Sequence, residues 1–175
     1  MTPLVQNLNF FLALGTIVLQ IASLGLLYVY VTRNSAVFEY IKKYALGVTF
    51  LFSGSGMVLT LVYSDVFGFI PCGLCWFERI CLYPIALLSG IALFKKETAT
   101  TDYILSLSIV GAAVALYHHY IQMGGSQFLA CPAVGEGADC AKRIIFEFGY
   151  ITFPLMAFSL FVFIGIVMLL LRRKV

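Results

Sequence analysis

Two pairs of cysteines stand out as residues able to do chemistry. Cys72 and Cys75 form a C-x-x-C within Pro71-Cys72-Gly73-Leu74-Cys75, and Cys131 and Cys140 bracket a short loop segment. Paired thiols cycle between dithiol and disulfide, so each pair can accept and release two electrons by thiol–disulfide exchange. If Pro71 precedes a helix, Cys72 and Cys75 lie in or beside its first turn. The unpaired N–H groups and the positive dipole end found there favour a thiolate. On such a helix Cys72, Cys75 and Arg79 share one face, with Arg79 one turn beyond Cys75. A fixed cation beside a thiolate suits redox or charge-transfer chemistry. Arg79 has two readings. It can hold the polar edge of a ligand against the thiols, or it can snorkel to the headgroups or pair with Glu78. Cys81 falls on the opposite face and reads as a small hydrophobe packed in the core.

The second pair lies in a loop rich in turn residues: Gly124, Gly125, Ser126, Pro132, Gly135 and Gly137. A disulfide between Cys131 and Cys140 would be either a staple or an exchange partner. The flexible setting favours an exposed, mobile bond that exchanges. His118 and His119 lie nearby, but structural zinc prefers two close-spaced ligand pairs. Only one is present, so no metal site is expected. The histidines read as polar residues facing water or a neighbouring helix.

The elements that must position these residues are membrane helices. The chain has 175 residues, 62% hydrophobic and 11% charged, with a mean hydropathy of +1.01. Soluble domains carry about 25% charged residues. A water-soluble globule, a disordered chain and a nucleic-acid binder are therefore excluded, and the chain reads as an all-α polytopic membrane protein in a lipid bilayer. Uncharged runs predict five spans: Phe10 to Val31, Tyr44 to Ser64, Ile80 to Phe94, Tyr103 to Ile121 and Phe148 to Leu171. The third run is short and crosses only if its helix begins near Cys72, with Glu78 and Arg79 at the headgroup level. Arg33, Lys42, Lys43, Lys95, Lys96, Arg172, Arg173 and Lys174 all fall on one side of a five-span arrangement. Only Arg79, Lys142 and Arg143 fall on the other. The positive-inside rule makes the first side cytoplasmic, with the N-terminus outside, the C-terminus inside and both cysteine pairs extracytoplasmic, where disulfides persist. The first span reads as a retained helix and not a signal peptide, because its positive residues follow the apolar run. Ser53, Gly54, Ser55 and Gly56 read as helix-packing residues, and tyrosines and phenylalanines near span ends as interface anchors.

Cys72-Gly73-Leu74-Cys75-Trp76-Phe77-Glu78-Arg79 resembles the C-x-L-C-x-x-E-R signature of the disulfide bond formation protein B (DsbB) family, which includes the BdbC proteins of Gram-positive bacteria. Cys140-Ala141-Lys142-Arg143 resembles that family's C-A-x-R; His118 and Pro154 also resemble family residues. The resemblance covers about 44–171, a four-helix transmembrane bundle, and leaves 1–33 as an added N-terminal span and 172–175 as a basic cytoplasmic tail. The added span is expected only to pack. The loop between Cys131 and Cys140 resembles the compact BdbC-like form, with little room for a membrane-surface helix.

The resemblance implies a quinone-linked thiol oxidase of the bacterial cytoplasmic membrane. A DsbA-like thioredoxin-fold thiol oxidase would attack the Cys131–Cys140 disulfide and form a mixed disulfide with Cys131. Electrons would pass to Cys72–Cys75, and Cys75 would donate them to a quinone (ubiquinone or menaquinone) from the membrane pool, with Arg79 and His118 near the quinone oxygens. Trp76 and Phe77 would flank the ring or anchor the interface. A vitamin K epoxide reductase-type oxidoreductase also pairs a membrane C-x-x-C with loop cysteines, but the Glu78-Arg79 that follows favours the first family. A non-enzymatic membrane protein with two structural disulfides is the remaining alternative.

Overall fold

A computed structural model describes residues 3–32, 35–128, 131 and 139–173. Arg33, Lys174 and the loop residues Pro132, Gly135 and Gly137 lie outside these, as does the expectation of a compact loop without a surface helix. Five helices follow in order: α1 (Pro3–Thr32), α2 (Ser35–Leu61), α3 (Gly73–Lys95), α4 (Thr101–Gln122) and α5 (Phe153–Arg172). All five contain stretches long and apolar enough to cross a membrane. The third span begins at Gly73, beside Cys72 as its length required.

Helices α2, α3, α4 and α5 form a ring in which α3 and α5 both border α2 and α4, while α1 lies outside against α5. In lipid, apolar burial does little to drive helices together, so close packing and polar contacts decide the arrangement. Small residues supply the packing. Gly56 of α2 faces Leu160 and Leu82, and Gly111 of α4 lies against the Phe161 ring. A Cβ at Gly111 would come within 2.6 Å of that ring. Phe161 is 1% exposed, with little room to turn aside. Gly111→Ala is therefore expected to cost about 1–3 kcal/mol by overpacking, against about 1 kcal/mol gained in helix propensity. A lower thermal midpoint in detergent is the expected reading; an unchanged one would mean that Phe161 yields freely.

Two short departures from α-helix bear on the site. After α2 the chain makes a wider π-helical turn over Val62–Val66, with Phe67 N–H donating to Val62 O at 3.0 Å. Before α5, Phe146–Glu147 pairs antiparallel with Ile151–Thr152. The intervening turn puts Phe148 and Gly149 at positive φ. This small hairpin brings Thr152 to the start of α5, where its hydroxyl accepts from Leu155 N–H at 3.3 Å and shares a hydrogen bond with His119 Nδ1 at 2.8 Å.

Candidate functional site

Cys72 is the N-cap of α3. Its backbone is extended, and its Sγ accepts the Cys75 N–H at 3.3 Å. A sulfur at the N-terminus of a 23-residue helix meets an unpaired amide and the positive dipole end. One turn further on, Glu78 and Arg79 are both buried, at 6% and 9% exposure. His118 of α4 is 1% exposed. Its Nδ1 lies 2.8 Å from Glu78 Oε1, and its Nε2 lies 3.6 Å from Cys72 Sγ. Carboxylate, imidazole and thiol thus form one chain, in which the carboxylate sets the ring's orientation and tautomer and the other nitrogen serves the sulfur. The Cys72 thiol, just outside the span, is held well below the usual thiol range. The hydrogen bond from the Cys75 side chain lowers it most, and burial opposes. The hydrogen bond and positive potential of His118 and the Cys75 amide lower it further.

Arg79 does not pair with Glu78. Its Nη2 donates to Thr60 O at 2.7 Å, at the end of α2. Its guanidinium stands 5.3 Å from the centre of the Trp76 ring. Glu78 is engaged by His118 instead. Trp76 and Phe77 are exposed, at 43% and 48%, and neither lines the cavity that holds Arg79 and the cysteines. Cys81 is buried in the central apolar cluster with Leu82 and Ile85, as its helical face requires.

Cys131 and Cys140 are joined by a disulfide. The expected exposed bond is only half right. Cys140 is fully buried and Cys131 partly buried, and the loop's return is fastened to α4. Arg143 Nε donates to Gln122 O, and Gln122 Nε2 donates to Lys142 O at 3.1 Å. The decisive feature is where this bond is buried. Cys72, Leu74, Ile121 and Cys140 form a single cluster, with Cys75 and Cys131 packed against it. Two pairs far apart in sequence therefore share one contact region.

Beneath this cluster lies a cavity of about 160 Å³. Cys72, Cys75, Glu78, Arg79, His118 and Gln122 contribute to its polar lining, with Thr60, Asp139 and Lys142. Tyr63, Phe69, Leu82, Phe153, Pro154 and Phe161 supply apolar walls. The shared face expected for Cys72, Cys75 and Arg79 is therefore the wall of a single chamber. Glu78 and Gln122 were not singled out as site residues. The E-R of the signature was the one available hint of Glu78, and nothing local marks Gln122. The Cys72 and Cys75 sulfurs and a His118 ring nitrogen also lie within 4.8 Å of one another.

Fold and site together define a polytopic membrane protein built around two cysteine pairs, one at a helix N-terminus over a cavity and one in an adjoining loop. The family model for disulfide bond formation protein DsbB matches residues 42–171, and the chain belongs to this family. It is 37% identical over 139 residues to the SPbeta prophage-derived disulfide bond formation protein B of Bacillus subtilis, covering 78% of this chain and 92% of that one. It is also 37% identical over 118 residues to disulfide bond formation protein C of the same organism, covering 67% and 85%. A probable disulfide formation protein of Chlamydia pneumoniae is 31% identical over 137 residues, covering 78% and 96%. No solved structure matches the chain. A role in disulfide formation follows from the family.

Proposed function

We propose that this protein is a thiol oxidase of the bacterial cytoplasmic membrane, with its cysteine loops on the extracytoplasmic side. It reoxidises a DsbA-like dithiol oxidase and delivers the electrons, through both cysteine pairs, to a membrane quinone. The observation that carries this reading is the shared burial of Cys72, Cys75, Cys131 and Cys140 over one polar-ended cavity.

The loop bond has a more accessible sulfur, Cys131, and a buried one, Cys140. A partner thiolate attacks Cys131, the Cys131–Cys140 bond breaks, and Cys140 leaves as a thiolate within the cluster. The partner's second thiol resolves the mixed disulfide and departs oxidised, freeing Cys131. Cys140 then attacks Cys72 of an oxidised Cys72–Cys75 pair, and Cys75 leaves as a thiolate. Cys131 resolves the Cys72–Cys140 bond. The loop disulfide is restored and two electrons rest on the Cys72–Cys75 dithiol.

The cavity suits a quinone headgroup: it has an apolar, aromatic wall and a polar end. The Gln122 amide oxygen is buried there with no partner among the described residues, an acceptor that a ligand hydroxyl can satisfy. When bound, a quinone supplies a two-electron, two-proton acceptor. Arg79 offers a fixed cation to a ligand oxygen, Cys75 is the donor thiol facing the chamber, and His118 with Glu78 holds or moves a proton beside Cys72.

The test is thiol-dependent reduction of a short-chain quinone by the purified full-length protein, followed by quinone absorbance. No reduction with either a ubiquinone or a menaquinone analogue would sink the reading. Arg79→Ala is expected to raise the KM for quinone about tenfold, the loss of roughly one charge-assisted hydrogen bond. An unchanged KM would reduce Arg79 to its bond with Thr60.

A further inference from the structure

The added helix α1 lies outside the family match, which begins at residue 42, and the sequence reading assigned it only a packing role. Its inward face is nevertheless polar. Asn9, Thr16 and Ser23 are buried on it. Thr16 and Ser23 turn their hydroxyls back onto their own helix, to Leu12 O and Leu19 O, and Gln20 braces α1 against Ser159 of α5 at 3.0 Å. Asn9 alone among these reaches the site. Its side-chain oxygen accepts the Tyr63 hydroxyl, and both residues are 3% exposed. A buried amide at the outer end of a membrane helix needs a partner, and that partner points to its use.

Tyr63 lies in the π-helical turn and lines the cavity. Its ring packs against Phe67, Phe69 and Phe153, with centroids 5.5, 5.9 and 5.2 Å away. Phe69 and Phe153 line the same cavity, so Tyr63 is the hub of its aromatic wall. A π-helical turn needs tertiary support, and such turns concentrate at functional sites. Because the Tyr63 hydroxyl gives its proton to Asn9, Tyr63 serves the cavity with its ring and not as a hydrogen-bond donor.

We propose that α1 is part of the acceptor site. Asn9 is a positioning residue that tethers Tyr63 in the wall against which a flat quinone ring stacks, so the added helix sets quinone affinity. This rests on the reading of the cavity as a quinone site.

Trp76 is the chain's one tryptophan and stands over Arg79, so its fluorescence can report quinone binding without turnover. The test titrates a short-chain ubiquinone analogue into the full-length protein in lipid nanodiscs. Asn9→Leu and Tyr63→Phe are each expected to weaken binding about tenfold. The double variant should be no weaker than the worse single one, because both cut the same tether. In turnover assays the loss should fall on the KM for quinone more than on kcat, the split that a positioning role predicts and a general loss of structure does not. Gln20→Leu removes a brace that does not touch the cavity and should leave affinity unchanged. Unchanged binding in Asn9→Leu, strictly additive single effects, or an equal loss in Gln20→Leu would each overturn the tether. Wild-type protein that binds no quinone would overturn the quinone reading and this inference with it.

Discussion

Cys131→Ser is expected to abolish oxidation of a thioredoxin-fold partner while leaving quinone reduction by small thiols within about tenfold of wild type. Cys75→Ser should lower quinone reduction from every donor by on the order of 10³-fold or more. The difference follows from where the sulfurs sit. Cys131 is the more accessible atom of the loop disulfide, and Cys140 is buried beside Cys72. A protein thiolate can approach only the accessible sulfur, whereas a small thiol can diffuse to the Cys72–Cys75 pair through the cavity. Cys75 belongs to the last dithiol before the acceptor, so its loss stops electrons whatever their source. Parallel assays on one preparation, with reduced partner and with dithiothreitol as donors, check both variants. Equal loss of both activities in both variants would argue against a relay and for two pairs acting as one structural unit. Cys81→Ala should be silent in the same assays, since Cys81 packs in the central core.

Glu78→Gln is the second large effect. Glutamine keeps an acceptor near His118 Nδ1 but removes the negative charge facing the ring, so the ring presents less positive potential to Cys72. Exchange at Cys72 should slow about 10–100-fold, as when carboxylates that orient metal-bound histidines are removed. A slower rate alone would not separate positioning from misfolding, but the pH profile does. In the reduced wild type the lowered Cys72 thiol stays a thiolate as the pH falls through the ordinary thiol range, about 8.5. In Glu78→Gln the His118 share of that lowering shrinks while the Cys75 hydrogen bond remains, so the Cys72 thiolate is lost at a higher pH than in the wild type and Cys72 is a poorer leaving group when Cys131 resolves the Cys72–Cys140 bond. Thiolate absorbance of the reduced protein in both forms gives the same readout without turnover. Parallel profiles in the two proteins would show that Glu78 does not act through His118.

The sequence was informative where one residue type had one physical use. Long uncharged runs have no stable place outside lipid, so five spans were legible, including the start of the third beside Cys72. Helical periodicity put Cys72, Cys75 and Arg79 on one face and Cys81 on the other, and the cavity and core respect that division. The C-x-L-C-x-x-E-R signature carried the family, and the match over 42–171 agrees.

Tertiary structure decided the rest, because a polar residue in a membrane helix takes whichever partner packing brings to it. Glu78 and Arg79 are adjacent in sequence, yet one meets His118 of α4 and the other caps the end of α2. The glycines, Ser126 and Pro132 of the loop predict an exposed disulfide, but the ties between Gln122, Lys142 and Arg143 draw Cys140 into the cluster with Cys72. Nothing local in the sequence marks Asn9; the fold lays it against Tyr63. Local periodicity determines which face of a helix a side chain occupies. Only the folded bundle determines what stands opposite, since contacts between helices depend on packing across many residues of intervening chain.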